Sequence, residues 1–331
     1  MDMFPDTDQQ QLIGTVDEFC SRRFPIETVR ALAGRPVDDT DWRALAELGC
    51  FGLGLPAEAG GFDAGVVGEL LVVREIGRHL VPGPIIPTIL AAHVLSTALP
   101  SVAADVAEGR IRVALAEPFR SDDATPRHLL SDFGDGLVLA VGNGQWSVYP
   151  TDAWTEVTPV QSLDPSTRLA TANFAGGEPL LSVDDASLQR RADVLVAAAM
   201  CGVAVATTAA SVEYAKNRIQ FGQPIGSFQA VKHRCAEMAV RTEAAYSQTA
   251  YAGLVFDEDG PDAEFQTAAA RLVAYGAAGD NCADNIQNHG GIGFTEECDA
   301  HLYLRRWRAL DRMLGDRFSV ADRLAALQAA Q

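Results

Sequence analysis

The chain has 331 residues, of which 48% are hydrophobic and 7% aromatic, and its formal net charge is -18. This length is enough for two or three packed subdomains, and abundant alanine with few aromatics favours close-packed helices over a β-sandwich or barrel. Because nucleic acids and anionic membranes bind clustered Lys and Arg, the acidic charge argues against both as partners, although a local arginine can still hold one small anionic ligand.

The first 110 residues have the periodicity of helices. Apolar residues recur at three- and four-residue spacing in QQQLIGTVDEFCSRRF, TDWRALAELGC and VVGELLVVREIGRHL. A glycine-rich loop, LPAEAGGFDAG from Leu55 to Gly65, separates the second run from the third. Residues 1–110 are therefore predicted to form an N-terminal helical domain.

The pattern changes twice further along the chain. Between residues 111 and 185, the short runs IRVALAEP, GLVLAVGN, QWSVYP and RLATANF are broken by Gly, Asn, Asp and Pro, which predicts a small antiparallel sheet. From residue 186 to 331 the pattern is helical again, with Ser227 and Asp262 at N-cap positions. The predicted architecture is mainly α, with a small central antiparallel β domain, shortened relative to its usual size, and a C-terminal four-helix bundle. Five helical segments are predicted in this last region, at about 186–217, 227–257, 262–288, 296–313 and 317–329.

Cysteines, the N-terminal sequence and one apolar run bear on location. The six cysteines are dispersed, without a C-x-x-C pair or a histidine at metal-ligand spacing, which favours buried thiols in a reducing cytosol and no metal site. The acidic start MDMFPDTDQQQLIG has no signal-peptide pattern. The run ADVLVAAAMCGVAVATTAASV is long enough to span a membrane, but charged residues flank it, and we interpret it as a helix buried in the bundle. We expect a cytoplasmic protein.

Two C-terminal stretches carry more polar and glycine residues than a helix connection needs. The first, NRIQFGQPIGSFQAVKHR, contains Arg218 before its turn and Gln229 after it, which we expect to face inward. In the second, QNHGGIGFTEE, glycines are expected to end one helix and Thr295 to begin the next. Glycines at such a junction let backbone N–H groups approach an anion, although the second stretch alone is more typical of a simple C-cap and turn.

Together the two stretches resemble the acyl-CoA dehydrogenase family. The resemblance rests on R-x-Q-F-G-x-P-I-x-x-F-Q followed by Q-x-x-G-G-x-G-F. Upstream, Leu55 to Gly61 is similar to the family's P-x-x-x-G-G loop, and Leu115 to Pro118 is similar to the T-E-P that opens its middle sheet. The helix, sheet, helix order also agrees, so the resemblance covers nearly the whole chain.

The resemblance implies an FAD-dependent enzyme that desaturates an acyl-CoA thioester and passes electrons to an electron-transfer flavoprotein. In the family, the arginine of R-x-x-F-G reaches the FAD pyrophosphate with help from two nearby residues, which implies a role here for Arg218, Gln220 and Phe221. The family's F-Q glutamine and its Q-x-x-G-G segment hold the adenosine and phosphate end of a flavin that belongs to the neighbouring subunit. The matching residues are Gln229, Gln287, Gly290 and Gly291. A simple helix-capping role for Arg218 is the alternative.

The catalytic base of the family is missing. The family places a glutamate in a Y-E-G-T turn, where an ungapped count puts Leu314 here, and Arg306 replaces the usual Asp of the preceding R-D. Its other position for the glutamate, 26 residues before Arg218, is Ala192. The adjacent Asp193 could act as base after a small shift, or it could pair with Arg190 or Arg191 near the helix start.

The sheet region also departs from the family. After Glu117 and Pro118 the family has small residues and an S-D that contact the flavin, then a W-x-T strand beside its ring. Here the chain reads FRSDDATPRHLLSDFGDG, and no W-x-T follows, since Trp154 directly precedes Thr155. Such a chain resembles the shorter subunit of heterotetrameric (α2β2) acyl-CoA dehydrogenases from actinobacterial steroid and cholesterol degradation, in which a longer subunit supplies the glutamate. Two alternatives stay open: a self-sufficient homo-oligomer that uses Asp193, and a catalytically silent structural paralogue.

Overall fold

The computed structural model describes residues 4–32, 34–119, 127–142 and 144–329. The N-terminal region forms helices, as predicted, and the central region forms a sheet. The helices are α1 (Thr7–Arg23), α2 (Ile26–Leu32), α3 (Asp39–Glu47), α4 (Gly65–Arg78), α5 (Ile85–Ser96) and α6 (Pro100–Ala107). The strands are β1 (Val113–Phe119), β2 (Arg127–Ser131), β3 (Leu137–Gly142), β4 (Gln145–Pro150), β5 (Trp154–Val160), β6 (Leu169–Phe174) and β7 (Leu181–Val183).

The C-terminal region is helical apart from one short hairpin. Its elements are α7 (Ala186–Asn217), β8 (Ile219–Gln220), β9 (Gln223–Pro224), α8 (Gln229–Asp257), α9 (Ala263–His289), α10 (Ala300–Arg312) and α11 (Arg317–Ala329). The predicted order of helices, sheet and helices is therefore confirmed. The chain forms two compact units: the first comprises Met1–Ile26, Leu70–Val81 and Asp193–Gln331, and the second comprises Glu27–Glu69 and Pro82–Ala192. Because these units interleave distant segments, the linear division at 110 and 185 stays a prediction.

A small sheet forms in the second unit, as predicted, but it is mixed, so the prediction that it is antiparallel is wrong for one pair of strands. Its strand order is β5-β6-β2-β1-β3-β4-β7, and β1 pairs in parallel with β3, with Ala114 opposite Val138. The parallel pair arises because the chain returns along β2 and then enters β3 on the other side of β1. Alanines from several strands line one face, where Trp154 packs on them together with Leu130 and Val138. The bulky indole fills the space that the alanines leave.

Helices α4 and α7 cross in the first unit at two glycines. A side chain at Gly77 would overlap the carbonyl of Ala199, and one at Gly202 would overlap the carbonyl of Arg74. The two glycines therefore let the backbones of α4 and α7 come into contact, and α4 packs closely on α7 at this crossing. By length and composition α7 could cross a membrane, but 78% of its apolar window is buried, which agrees with the interpretation as a core helix. The cytoplasmic location stays a prediction.

Two predicted helix starts are wrong. Ser227 does not cap α8, because its hydroxyl donates to the carbonyl of Pro224 at 2.7 Å and the helix begins at Gln229. Thr295 does not begin a helix, because residues 290–294 form a short 3-10 helix and α10 begins only at Ala300. The glycine segment therefore has no long helix directly after it, and the dipole expected from such a helix is not available there.

Candidate functional site

The first polar stretch folds as a tight hairpin after α7. Phe221 and Gly222, the two residues of its loop, have φ values of 53° and 82°, which is the pattern of a type I′ turn. The N–H of Ile225 donates to the carbonyl of Arg218 at 2.8 Å and closes the hairpin. A phenylalanine at positive φ costs about 1 kcal/mol, and its side chain is 92% exposed. Phe221 therefore has a strained backbone and a side chain that is exposed to solvent.

The second polar stretch ends α9 at an open surface. Gly290 has a φ of 68°, and a side chain added at Gly290 or Gly291 would meet nothing within 4 Å. Beyond them, Phe294 is 79% exposed and Ile292 is exposed as well. Gly290 ends α9, with its N–H donating to the carbonyls of Ile286 and Gln287, and neither glycine places a side chain over this surface.

Contacts between helix ends bring the two stretches to the same end of the bundle. The ring of Tyr214, one turn before Arg218, stacks on His289 with centroids 4.2 Å apart. Ser211 donates to Asn285 at 2.8 Å. The guanidinium of Arg234 on α8 donates to the side-chain oxygen of Asn288 at 3.0 Å. The ends of α7, α8 and α9 are thereby tied together by side chains next to the predicted site residues.

The predicted cofactor-binding residues are all at the surface. Gly290 is half-buried, and the others are exposed: Arg218, Gln220, Phe221, Gln229, Gln287 and Gly291. The expectation that Gln229 faces inward is wrong. Nine residues separate it from the buried Met238, which is two and a half helical turns, so Gln229 points to the opposite side of α8. These side chains form an outward-facing polar surface in the single chain.

This surface fits the phosphate and adenosine end of a dinucleotide. Arg218 has no side-chain hydrogen bond or ion pair within the described residues, so its guanidinium fork is available for a phosphate. The amides of Gln229 and Gln287 are exposed hydrogen-bonding groups. The set contains no acid or base suited to proton abstraction from a substrate. These residues could hold a cofactor, but none of them could act as a catalytic acid or base.

Both positions where the family keeps its glutamate hold buried apolar residues. Ala192 is fully buried, and Leu314 is 5% exposed with a φ of 58°. Arg306, which replaces the family's Asp, is also buried, and it donates to the carbonyls of Leu80 and Val81, both at 3.1 Å. Arg306 thereby ties α10 to the segment after α4 within the first unit. None of these side chains offers a carboxylate.

Asp193 is the centre of a buried ion cluster. Its side chain is 0% exposed and accepts hydrogen bonds from Arg271 at 2.8 Å and from Arg323 at 2.6 Å. Arg271, also buried, donates to the carbonyls of residues 313, 314 and 315 as well. The cluster therefore fixes the turn in which the family carries its glutamate. The sequence offered one signal for Arg271, since it stands alone in the apolar run TAAARLVAYGAA.

A second buried ion cluster lies in the second unit and was not predicted. Glu69 is 2% exposed and is bound by His93 at 2.6 Å and by Arg191. Burial by itself raises the pKa of Glu69, but the attraction of Arg191 and His93 outweighs it, and the pKa lies below its usual value of 4.5. The carboxylate is therefore ionised near neutral pH. Gly54 packs directly on this pair, because a side chain there would overlap Glu69.

No tryptophan of the sheet is free to flank a flavin ring. Trp154 is 5% exposed and lies among Tyr149, His128 and Phe174, with ring centroids 5.0 to 6.3 Å from its own. Trp146 is buried too. The S-D pair of the sequence, Ser121 and Asp122, lies outside the described residues.

The chain belongs to the acyl-CoA dehydrogenase family. Residues 6–109 match the acyl-CoA dehydrogenase N-terminal domain, and residues 190–327 match the C-terminal domain. Members of this family are FAD-dependent oxidoreductases that act on CH–CH bonds. Acyl-CoA dehydrogenase IpdE2 of Mycobacterium tuberculosis (strain H37Rv) is 34% identical over 330 residues, which cover 97% of this chain and 98% of IpdE2.

A second relative from the same strain is longer. Acyl-CoA dehydrogenase FadE34 is 36% identical over 319 residues, which cover 93% of this chain but 44% of FadE34, so the chain spans less than half of that protein. Among solved structures, a Tcur3481-Tcur3483 steroid ACAD variant has a TM-score of 0.84 at 23% identity, covering 98% of each chain. The ChsE4-ChsE5 complex from Mycobacterium tuberculosis has a TM-score of 0.83 at 21% identity, covering 100% of each chain. These two structures share the fold.

Proposed function

We propose that this chain is a non-autonomous subunit of an FAD-dependent acyl-CoA dehydrogenase that forms an α2β2 heterotetramer. The chain contributes the surface for the pyrophosphate and adenosine end of a shared FAD, and a longer partner subunit supplies the catalytic glutamate. The assembly desaturates an acyl-CoA thioester, with a steroid-derived acyl group as the favoured substrate class. The observation that carries the proposal is an exposed Arg218, without a side-chain partner among the described residues, in a chain whose two possible base positions hold Leu314 and Ala192.

The exposed aromatic rings support an assembly. Phe221 and Phe294 lie on the same two segments as the predicted phosphate ligands, and Ile219 and Ile292 are exposed beside them. Apolar groups concentrated on a monomer surface mark sites of interaction with other molecules. A neighbouring subunit that carries the rest of the flavin would cover these rings and place its cofactor against Arg218.

The buried state of Asp193 disfavours the self-sufficient alternative. A general base needs a lone pair that can reach the substrate proton. Each carboxylate oxygen of Asp193 already accepts a hydrogen bond from an arginine, and the side chain is fully buried. The carboxylate has a structural role instead, as the counter-ion of Arg271.

The relatives support a partner subunit and the substrate class. ChsE4-ChsE5 is a complex of two named chains, and the Tcur3481-Tcur3483 protein is described as a steroid ACAD. In FadE34 more than half of the protein lies outside the match. That extra length is enough for a second subunit-sized region in the same polypeptide. The proposal that this chain functions together with a longer partner subunit agrees with all three of these relatives.

Each predicted ligand has a distinct task at the cofactor. The guanidinium of Arg218 would hold the pyrophosphate, and Gln220 and Phe221 would flank it with an amide and an apolar wall. Gln229 and Gln287 would offer amides to the adenosine end, and the absence of side chains at Gly290 and Gly291 would let a phosphate approach this segment. FAD bound there would take up the hydride from the β-carbon of the substrate. An electron-transfer flavoprotein is the proposed acceptor of the electrons.

Expression with and without a partner tests the proposal. The purified single chain is expected to be colourless, and a complex with a longer acyl-CoA dehydrogenase of the same organism to be yellow and active. Arg218→Ala in that complex is expected to lower the flavin content, whereas Arg22→Ala, which removes an equal charge from an exposed site on α1, is expected to leave it unchanged. Bound FAD and turnover in the pure single chain would overturn the proposal. An unchanged flavin content in Arg218→Ala would instead favour the silent paralogue.

A further inference from the structure

We propose that the second unit carries a separate binding site for a small organic oxyanion. The site is a cavity of about 440 Å³ bounded by the segment before α3, the loops ahead of α5 and β1, and the turn between β2 and β3. It shares no residue with the predicted FAD surface. Its volume lies within the range of small-molecule binding sites. The cavity is therefore large enough for an organic anion and not only for a single phosphate.

Trp42 lies at the wall of this cavity and is almost fully buried. Phe51 stacks on the indole at 4.4 Å, and the guanidinium of Arg112 lies 4.9 Å from the ring centroid. Two cavity-lining glycines lie at the ring edge: a side chain at Gly83 would be 3.0 Å from Cζ3, and one at Gly109 would be 3.4 Å from Nε1. Because both positions are glycine, neither residue places a side chain between the indole and the cavity.

The indole N–H of Trp42 lacks an acceptor. The residue is 1% exposed, and its Nε1 has no hydrogen-bond partner within the described residues. A buried donor without a partner costs about 1–3 kcal/mol, and native proteins usually satisfy such a donor with a side chain, a water or a ligand. The Nε1 atom lies beside Gly109, which lines the cavity, since a side chain added there would be 3.4 Å from it. A small shift of the glycine segment would let an acceptor in the cavity reach this buried N–H and remove the cost.

Arginines supply the charge for an anionic ligand. Four line the cavity, and two of them are already paired: Arg112 with Asp39 at 3.0 Å, and Arg110 with Asp105 and Glu108. The side chains of the other two form no ion pair or hydrogen bond within the described residues; they are Arg43 and Arg168. The forked donors of these two guanidinium groups match the oxygens of a phosphate or a carboxylate, although Asp132 and Asp135 in the same cavity balance their charge.

Carboxylates also line the cavity and oppose an anion. Asp39 is neutralised by Arg112, and the backbone N–H of Asp132 donates to the carbonyl of Arg168 at 2.8 Å, which fixes the turn. Asp135 is exposed at the rim and has no ion pair within the described residues. Removal of the Asp135 charge should therefore strengthen anion binding, and removal of either free arginine should weaken it. This pair of opposite responses is specific to the cavity.

Titration calorimetry of the purified protein tests the site, with pyrophosphate and citrate as separate probes for phosphate and carboxylate chemistry. We expect at least one probe to bind, the double variant Arg43→Gln/Arg168→Gln to lose at least tenfold in affinity, and Asp135→Asn to gain. Arg22→Gln/Arg312→Gln, an equal charge change at two exposed arginines of the first unit, serves as the control and should bind as the wild type does. No binding of either probe, or an equal loss in this control and in the Arg43→Gln/Arg168→Gln variant, would overturn the proposal.

A second readout locates the ligand without using activity. The protein has four tryptophans. In a sample labelled with ¹⁵N at the indole nitrogens, the signal assigned by Trp42→Phe should shift when the binding probe is added, and the other three should not. A shift confined to another tryptophan would refute the placement. Neither readout depends on flavin content, so failure of this site and failure of the proposed function are distinguishable.

Discussion

Replacement of Asp193 by asparagine should be costly for stability and neutral for catalysis. The substitution keeps the shape of the side chain but leaves the Arg271 guanidinium, whose side chain is 3% exposed, without its counter-ion. Removal of one partner of a buried ion pair costs about 3–5 kcal/mol. Since asparagine can still accept one hydrogen bond and Arg271 keeps its three backbone carbonyls, we expect the lower end, about 3 kcal/mol.

Urea unfolding followed by circular dichroism measures this change in the free energy of unfolding. Arg323→Gln is the matched control: its side chain is 32% exposed, so loss of its pair with Asp193 should cost about 1 kcal/mol or less. Turnover per bound flavin in the mixed complex should not change in Asp193→Asn. An Asp193→Asn protein as stable as the wild type would refute the structural role. A rate that falls by a factor of about 10² or more at unchanged stability would identify Asp193 as a base.

Three further predictions concern packing, pH and the hairpin. Gly202→Ala should destabilise the protein by about 1–3 kcal/mol or more, because the new methyl overlaps the carbonyl of Arg74. Gly276→Ala on α9, which has open space around it, should instead stabilise the protein by about 1 kcal/mol. Thermal unfolding of the two variants measures both changes. Because the pKa of Glu69 is lowered on folding, its contribution to the free energy of unfolding is present above pH 4.5 and is lost as the pH falls below that value. Acidification should therefore lower the stability of the wild type more than that of Glu69→Gln. Equal losses in the two proteins would contradict this prediction. Phe221→Gly should raise the stability of the single chain slightly by relieving positive φ, yet lower flavin retention in the complex, and a gain in retention would contradict the proposed wall.

The sequence predicted those elements whose signals are local. Helix α7 was predicted with its observed ends, because its apolar run continues up to the polar residues around Asn217. Strand β5 was missed, since WTEVTPV is an edge strand with mostly exposed residues and shows no regular alternation. The parallel pairing of β1 with β3 was missed as well, because strand order depends on contacts that no single strand encodes.

In the candidate site too, features with a local sequence pattern could be predicted, and those that depend on distant contacts could not. Arg218 and Gln287 could be predicted as site candidates because short motifs around them combine glycine with polar residues at fixed spacing, and their role stays a prediction. The partners of Asp193 could not be identified, since Arg271 and Arg323 are 78 and 130 residues away along the chain. The orientation of Gln229 was predicted wrongly because the first turn of α8 shows no apolar stripe from which its buried side can be determined.

In the proposed heterotetramer, the exposed rings of Phe221 and Phe294 have a consequence for how the two subunits must be synthesised. A chain made in excess of its partner would display these rings to every other copy, and such surfaces drive aggregation of unassembled subunits. We therefore expect balanced synthesis of the two subunits to matter more for the yield of active enzyme than the folding of either one. Solubility of this chain, measured against increasing co-expression of its partner, should rise until the two are equimolar and then level off.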